Sequence, residues 1–138
     1  MSNKKEKINN SSLLENVRPV RPSFREAFRR AAQQTELICF EGYPREDFMR
    51  ELCYIIAEVY IIDPDSSIKI SDEILPAYLV QEIFGELKLQ HLELVESNFH
   101  DQTELIKNKR AYLRTALYNS VFEFEAHYKN LVKHDLGI

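Results

Sequence analysis

Apolar residues recur at helical spacing in six stretches of the chain, and no stretch of useful length alternates apolar with polar residues. This periodicity predicts helices and gives little support to an extensive β-sheet. Ser23 and Glu26 have the spacing of a capping box, so a first helix should begin there and end near Gln34. Pro44, with two acidic residues soon after it, predicts the start of a second helix that continues to about Ile61.

The second helix has the most continuous apolar stripe and should be the centre of the core. The residues of this stripe are Phe48, Leu52, Ile55, Ile56, Val59 and Ile62. Pro76 can open a third helix, and a fourth carries apolar residues from Leu89 to Phe99.

A fifth helix is predicted from Lys109 to Asn119, with Asn108 as its N-cap. A sixth is predicted from about Phe122 to His134, ending at a cap formed by Gly137. Residues 68–70 read as a brief extended piece at most. The expected fold class is therefore all-α, a compact bundle of about five or six helices over residues 22–138.

The composition agrees with one small globular domain. The chain has 138 residues, of which 44% are hydrophobic and 29% charged, enough for a single core. Residues 1–21 are polar and end in two prolines, which predicts a flexible linker or tail. No apolar run is long enough for a membrane helix or a secretory signal, and two cysteines provide no framework of bridges. A cytoplasmic location is expected.

Charge is distributed unevenly along the chain. Residues 1–35 carry a net charge of +5, residues 36–101 carry −11 and residues 102–138 carry +2. An acidic middle could steer a basic protein partner to a docking surface. Solvated helix faces would give the same pattern.

A cluster of basic residues surrounds one aromatic residue at the start of the predicted fifth helix. The cluster consists of Lys107, Lys109, Arg110, Tyr112 and Arg114. Cations beside an aromatic ring can hold a phosphate and stack a base, so these residues are the candidate nucleic-acid contacts. Alternatively, Tyr112 packs into the core, since it lies at a core-facing position. A second basic stripe (Arg18, Arg21, Arg25, Arg29 and Arg30) could contact phosphate or a membrane surface, or could simply aid solubility.

The sequence contains no pattern typical of a metal site or of catalysis. The four histidines do not form an i, i+4 pair or a zinc-finger set with the cysteines. The chain has three glycines, too few for a phosphate-binding loop, and no nucleophile elbow. We therefore expect a non-enzymatic protein that needs neither a cofactor nor a metal ion.

The C-terminal third resembles a known domain. Residues 105–119, together with Tyr128 and residues 133–136, resemble the end of the DnaD-like C-terminal domain of RepA-type plasmid replication initiators from Gram-positive bacteria. Residues 68–70, the helix opening at Pro76 and the continuation through His91 and Val95 are similar as well, so the likeness covers about residues 36–138. In related primosome proteins, a Tyr-x3-Ile-x3-Trp motif on the matching helix is associated with single-stranded DNA. Here those positions hold Tyr112, Ala116 and Ser120.

The resemblance implies an adaptor that brings host replication proteins, such as primase, helicase or its loader, to an origin. Such initiators read origin DNA with an N-terminal winged-helix domain, which would belong to the full-length protein. The candidate partner contacts are Glu93, Glu96, Glu123, Glu125, His134 and Asp135. Two alternatives are sequence-independent binding of single-stranded DNA through the basic and aromatic fifth helix, and an unrelated helical dimerisation module.

Overall fold

The computed structural model describes residues 21–100 and 107–136, with side chains described as far as residue 125. These residues are mostly helical. In chain order the elements are α1 (Phe24–Gln34), a 3₁₀ helix (Leu37–Phe40), α2 (Glu46–Tyr60), β1 (Ser67–Ile70), β2 (Glu73–Pro76), α3 (Ala77–Phe84), α4 (Leu89–His100) and α5 (Lys109–Leu136). Among these helices, none is both long enough and apolar enough to cross a membrane.

Side-chain caps fix two of the helix starts where the sequence predicts them. Ser23 Oγ accepts a hydrogen bond from the Glu26 N–H at 3.1 Å, and α1 begins at the next residue. Asn108 Oδ1 accepts from the Ala111 N–H at 3.0 Å at the start of α5. Each cap satisfies an N–H group that the first turn of a helix leaves without a partner.

The core is built around α2, as its apolar stripe predicts. Leu52 and Ile56 are fully buried, and Met49 and Cys53 widen the buried face. Helix α1 packs antiparallel to α2, since Arg21 contacts Ile61 at one end and Thr35 contacts Cys53 at the other. The other elements contribute the buried side chains Ile68, Ile70, Val80, Phe84, Leu92, Leu113 and Leu117.

The all-α expectation is wrong in one respect, because β1 and β2 form an antiparallel hairpin. Its register pairs Ser67 with Pro76 and Ile70 with Glu73, which leaves a two-residue turn. Ser71 in that turn has φ 56°, a conformation that usually selects glycine or asparagine. A tertiary contact supports the turn, since the Ser71 N–H donates to Thr115 Oγ1 on α5 at 3.0 Å. The residues next to Ser71 in the sequence do not indicate this contact with Thr115, so they did not predict the turn.

The predicted fifth and sixth helices form the single helix α5. The boundary expected after Asn119 contains no glycine or proline. The Ser120 side chain is buried, and its Oγ donates to the Leu117 carbonyl at 2.7 Å, so the hydroxyl is satisfied inside the helix. The predicted cap residue Gly137 and residues 1–20 of the predicted tail lie outside the described residues.

Two glutamines connect helices by bonding to the carbonyl groups at helix ends. Gln34 Nε2 donates to the carbonyls of Phe84 and Leu87, both at 2.7 Å, where α3 ends. Gln81 Nε2 donates to the carbonyls of Val59 and Ile62 at 3.0 and 2.7 Å, where α2 ends. The carbonyls of Val59 and Phe84 also accept the backbone N–H groups of Ile62 and Leu87, so each glutamine adds a side-chain donor to a helix end that the backbone satisfies only in part.

Candidate functional site

The first turn of α5 is attached to α2 through two of the candidate nucleic-acid residues. Lys109 Nζ lies 3.1 Å from Glu51 Oε2. Arg110 pairs with Glu58, also on α2. Since each cation has a carboxylate partner, Lys109 and Arg110 contribute little free positive charge.

Tyr112 lies at a helix contact and is half-buried. Its ring centroid is 6.2 Å from that of Phe99 on α4. Lys109 Nζ lies 5.4 Å from the centroid of the same Phe99 ring. The structure therefore brings Tyr112 together with Lys109 at a packed junction of α4 and α5.

Lys107 and Arg114 have no ion pair among the described residues, and Lys107 is exposed. Arg114 Nε is buried without a hydrogen-bond partner among the described residues. Arg114 lies between two open clefts. One, of about 420 Å³, is lined by Lys69, Ser71, Asp72, Asn108, Ala111, Tyr112 and Thr115. The other, of about 330 Å³, is lined by Ile55, Glu58, Val59, Ile61, Ile62 and Arg110.

The described part of the second basic stripe lies on α1. Arg21, Arg25 and Arg29 are exposed, and Arg21 Nη1 donates to the Ile61 carbonyl at 3.5 Å. Arg30 is different, because its guanidinium carbon lies 4.1 Å from the centroid of the Tyr60 ring. Arg18 lies outside the described residues.

A surface that we call the α2 face joins the two basic groups. It consists of Glu51, Tyr54 and Glu58, which follow one another at helical spacing on the exposed side of α2. Tyr54 contacts the rings of Phe24 and Phe28 on α1, with centroids 5.9 and 4.8 Å away. Glu51 and Glu58 contact α5 through Lys109 and Arg110.

Sequence reasoning did not find the α2 face, since the basic groups are about 80 residues apart in the chain. The sequence did contain a signal for this face. Most residues of α2 are apolar and buried, and Glu51, Tyr54 and Glu58 recur among them at helical spacing.

Two of the candidate partner-binding acids lie beside Arg45. Glu96 is buried, and its Oε1 accepts from Arg45 Nε at 2.6 Å. Glu93 is half-exposed, with Oε2 3.7 Å from Arg45 Nη2. The hydrogen bond to Glu96 is the main cause that raises the pKa of Arg45. Glu96 therefore has an internal electrostatic partner, and Glu93 lies at the rim of the same ion pair.

The other described acids of this set lie on α5 and face solvent. Glu123 and Glu125 are exposed and have no ion pair among the described residues. Phe122 and Phe124 alternate with them and keep 48% and 37% of their surface exposed. We call these four residues the aromatic–acidic patch. The side chains of His134 and Asp135 lie outside those described.

The buried titratable groups have structural partners. Burial lowers the pKa of His91, whose Nδ1 accepts from the Lys88 N–H at 2.9 Å. Burial also raises the pKa of the Cys53 thiol, whose Sγ lies 3.3 Å from Thr35 Oγ1. Among the described residues, no group of three or more His, Cys, Asp or Glu side chains could hold a metal ion.

Comparison with protein-family models gives a match over most of the chain. The model of a family of unknown function, DUF6017, matches residues 24–138. No curated protein and no solved structure matches the chain.

Proposed function

The chain belongs to the DUF6017 family, whose function is unknown, and we propose from its own residues that it is a non-enzymatic docking module. The resemblance of residues 105–119 to a DnaD-like domain implies its role, that of the C-terminal part of a plasmid replication initiator. In this role it binds a host replication protein, such as primase, helicase or the helicase loader, and brings it to the origin in the cytoplasm.

The observation that carries this proposal is the aromatic–acidic patch. Its four consecutive residues, 122–125, are exposed, and the Phe124 ring is held on its inner side by His91 on α4, with ring centroids 5.0 Å apart. Two of the four are phenylalanines. Exposed aromatic side chains are enriched where proteins bind one another, and they often provide most of the binding energy.

The charge of the patch indicates the kind of partner. Glu123 and Glu125 add two unpaired negative charges beside the phenylalanines. Acids at the rim of an apolar contact attract a partner surface that is basic around an apolar pocket. Both acids were among the candidate contacts predicted from the sequence.

The position of the patch on α5 suits a docking role. The helical backbone of α5 continues from residue 125 to Leu136, about 16 Å at 1.5 Å per residue. A helix of this length can lie along a groove of the partner, a common mode of recognition.

The proposal is tested by biolayer interferometry with the full chain against purified primase, replicative helicase and helicase loader of the host. At least one of these proteins should bind, with a Kd of about micromolar. Phe122→Ser combined with Glu123→Lys should weaken that binding at least about tenfold, because it removes an anchor and reverses a charge.

The matched control is Tyr43→Ser combined with Glu41→Lys. Both residues are exposed and lie in the loop before α2. This variant should bind like the unmodified chain, and circular dichroism should show that both variants keep their helices. Absence of binding to all three host proteins, or equal loss in the control, would contradict the proposal.

A further inference from the structure

Helix α1 presents a basic and aromatic surface to solvent. Phe24 and Phe28 lie one turn apart on this helix, and Arg25 and Arg29 form the next stripe around it. We call these four residues the α1 face. Both arginines are exposed, and neither forms an ion pair with the residues that the structure describes. The α1 face therefore offers two positive charges beside aromatic rings.

The neighbouring acids on α2 do not neutralise these charges. Glu51 and Glu58 lie one turn before and one turn after Tyr54, the residue that contacts the rings of the α1 face. Their cationic partners are Lys109 and Arg110 on α5. The α2 carboxylates are therefore directed to α5 and not to α1.

Other acids lie at the edges of the α1 face. Glu26 is on the opposite side of α1 from the two phenylalanines. Arg21 begins the same arginine stripe but bonds to the backbone of α2 two residues before Asp63, so it is not counted in the face. Arg29 borders a cleft of about 630 Å³ that Glu36 also lines, without an ion pair between the two.

The rings at the centre of this surface are fixed in place and partly open. Phe24 and Tyr54 are stacked, with centroids 5.9 Å apart, and each keeps 39% of its surface exposed. Tyr54 also contacts Phe28, with centroids 4.8 Å apart. Rings held in this way lose little conformational entropy when a partner covers them. Exposed aromatic rings beside arginine are typical of surfaces that bind other proteins.

The aromatic–acidic patch on α5 has the complementary chemistry. Around this helix, Glu123 and Glu125 lie on either side of Phe122, about 100° and 60° away. Phe122 keeps 48% of its surface exposed. The patch therefore presents a ring between two carboxylates, whereas the α1 face presents rings beside two guanidinium groups. Opposite charges arranged around apolar centres favour a contact between the two surfaces.

The two surfaces do not meet within one copy of the chain. Phe24 and Phe122 are both open to solvent in the same molecule. A second copy can supply the surface that the first copy leaves uncovered. Because two different surfaces would meet, each contact leaves one surface of each kind free at the ends, and further copies can add.

We propose that the α1 face binds the aromatic–acidic patch of a second copy of this chain. Phe122 of one copy packs on the exposed rings of the next, and its two neighbouring glutamates pair with Arg25 and Arg29. The patch keeps the binding role that the proposed function gives it, on which this inference rests. Copies of the chain then compete with the host protein for the same patch.

The test is sedimentation equilibrium of the full chain without any host protein, from about 10 to about 500 μM. The weight-average mass should rise with concentration and pass that of two copies, with a Kd of about 100 μM to 1 mM because the contact is small. Arg25→Gln combined with Arg29→Gln should weaken the association at least about fivefold. Phe122→Ser combined with Glu123→Lys should weaken it at least about tenfold.

A mixture of these two double variants tests whether two different surfaces meet. The arginine variant keeps an intact patch, and the phenylalanine variant keeps an intact α1 face. Only one contact can then form between them, so the mixture should give pairs of copies and nothing larger.

The matched control is Lys69→Gln combined with Lys88→Gln. Both lysines are exposed, and neither has an ion pair with the residues that the structure describes. This variant removes the same charge as the arginine variant and should associate within about twofold of the unmodified chain. Circular dichroism should show that all variants keep their helices.

Four results would overturn the proposal. These are a chain that stays monomeric at about 500 μM, a mass that stops at two copies, a mixture of the double variants that stays monomeric, and equal loss in the lysine control. The proposed function is tested separately, because the arginine variant keeps its patch and should bind the host protein at least as tightly as the unmodified chain. Failure of every host protein to bind would leave the self-association in place.

Discussion

His91 shows how one side chain makes a helix start depend on pH. It is the third residue of α4, and its Nδ1 accepts the N–H of Lys88, the residue before the helix. This is the position from which a glutamate or glutamine reaches back in a capping box. Only the neutral imidazole has a free lone pair for this bond.

The folded state should lose stability in acid because of His91. Burial lowers the pKa of His91 below its ordinary value of about 6.5, so the unfolded chain binds the proton more readily. The stability that neutral His91 contributes to the folded state is complete above a pH of about 6.5 and is lost as the pH falls below that value. Urea unfolding at several pH values should show this loss. His91→Gln keeps an acceptor and should reduce the loss between pH of about 7 and 5; an unchanged pH profile would contradict this role.

At the scale of the elements, the helix starts were predictable, and the helix end expected at Asn119 was wrong because α5 continues to Leu136. Ser23, Pro44, Pro76 and Asn108 are local signals, and each helix begins within two residues of its signal. The hairpin was missed because Ser71 adopts its left-handed conformation through a contact with Thr115, 44 residues away. Tertiary contacts of this kind leave no mark in the neighbouring sequence.

The bonds from Gln81 to the end of α2 lead to a prediction at this scale. Gln81→Leu leaves the carbonyls of Val59 and Ile62 without this donor, so the free energy of unfolding should fall by about 1–3 kcal/mol. Gln90→Leu is the matched control, since Gln90 is exposed on α4. Its effect should stay within about 0.5 kcal/mol. Equal effects in chemical denaturation would mean that Gln81 does not cap α2.

At the scale of the whole molecule, α2 is the element on which the others pack. Ile56 is fully buried on it. Ile56→Ala should lower the free energy of unfolding by about 2–5 kcal/mol, through lost burial and the cavity left behind. A loss below about 0.5 kcal/mol in urea denaturation would contradict the central position of α2.

The candidate surfaces were predictable only in part. Periodicity assigned Tyr112 to a core-facing position and identified the basic residues around it. It could not show that Glu51 and Glu58 pair with Lys109 and Arg110, because ion pairs between helices depend on how the helices pack. For the same reason, the sequence could not show that Glu96 is buried against Arg45 whereas Glu123 is exposed.

The measurement that tests the docking account most directly is an NMR titration of the isotope-labelled full chain with the host primase, helicase and helicase loader in turn. The account predicts that one of these proteins shifts or broadens the amide signals of residues 121–125, while the signals of Glu41 and Tyr43 remain in place. Titrations in which no host protein affects residues 121–125, or in which the changes are confined to other surfaces, would contradict it.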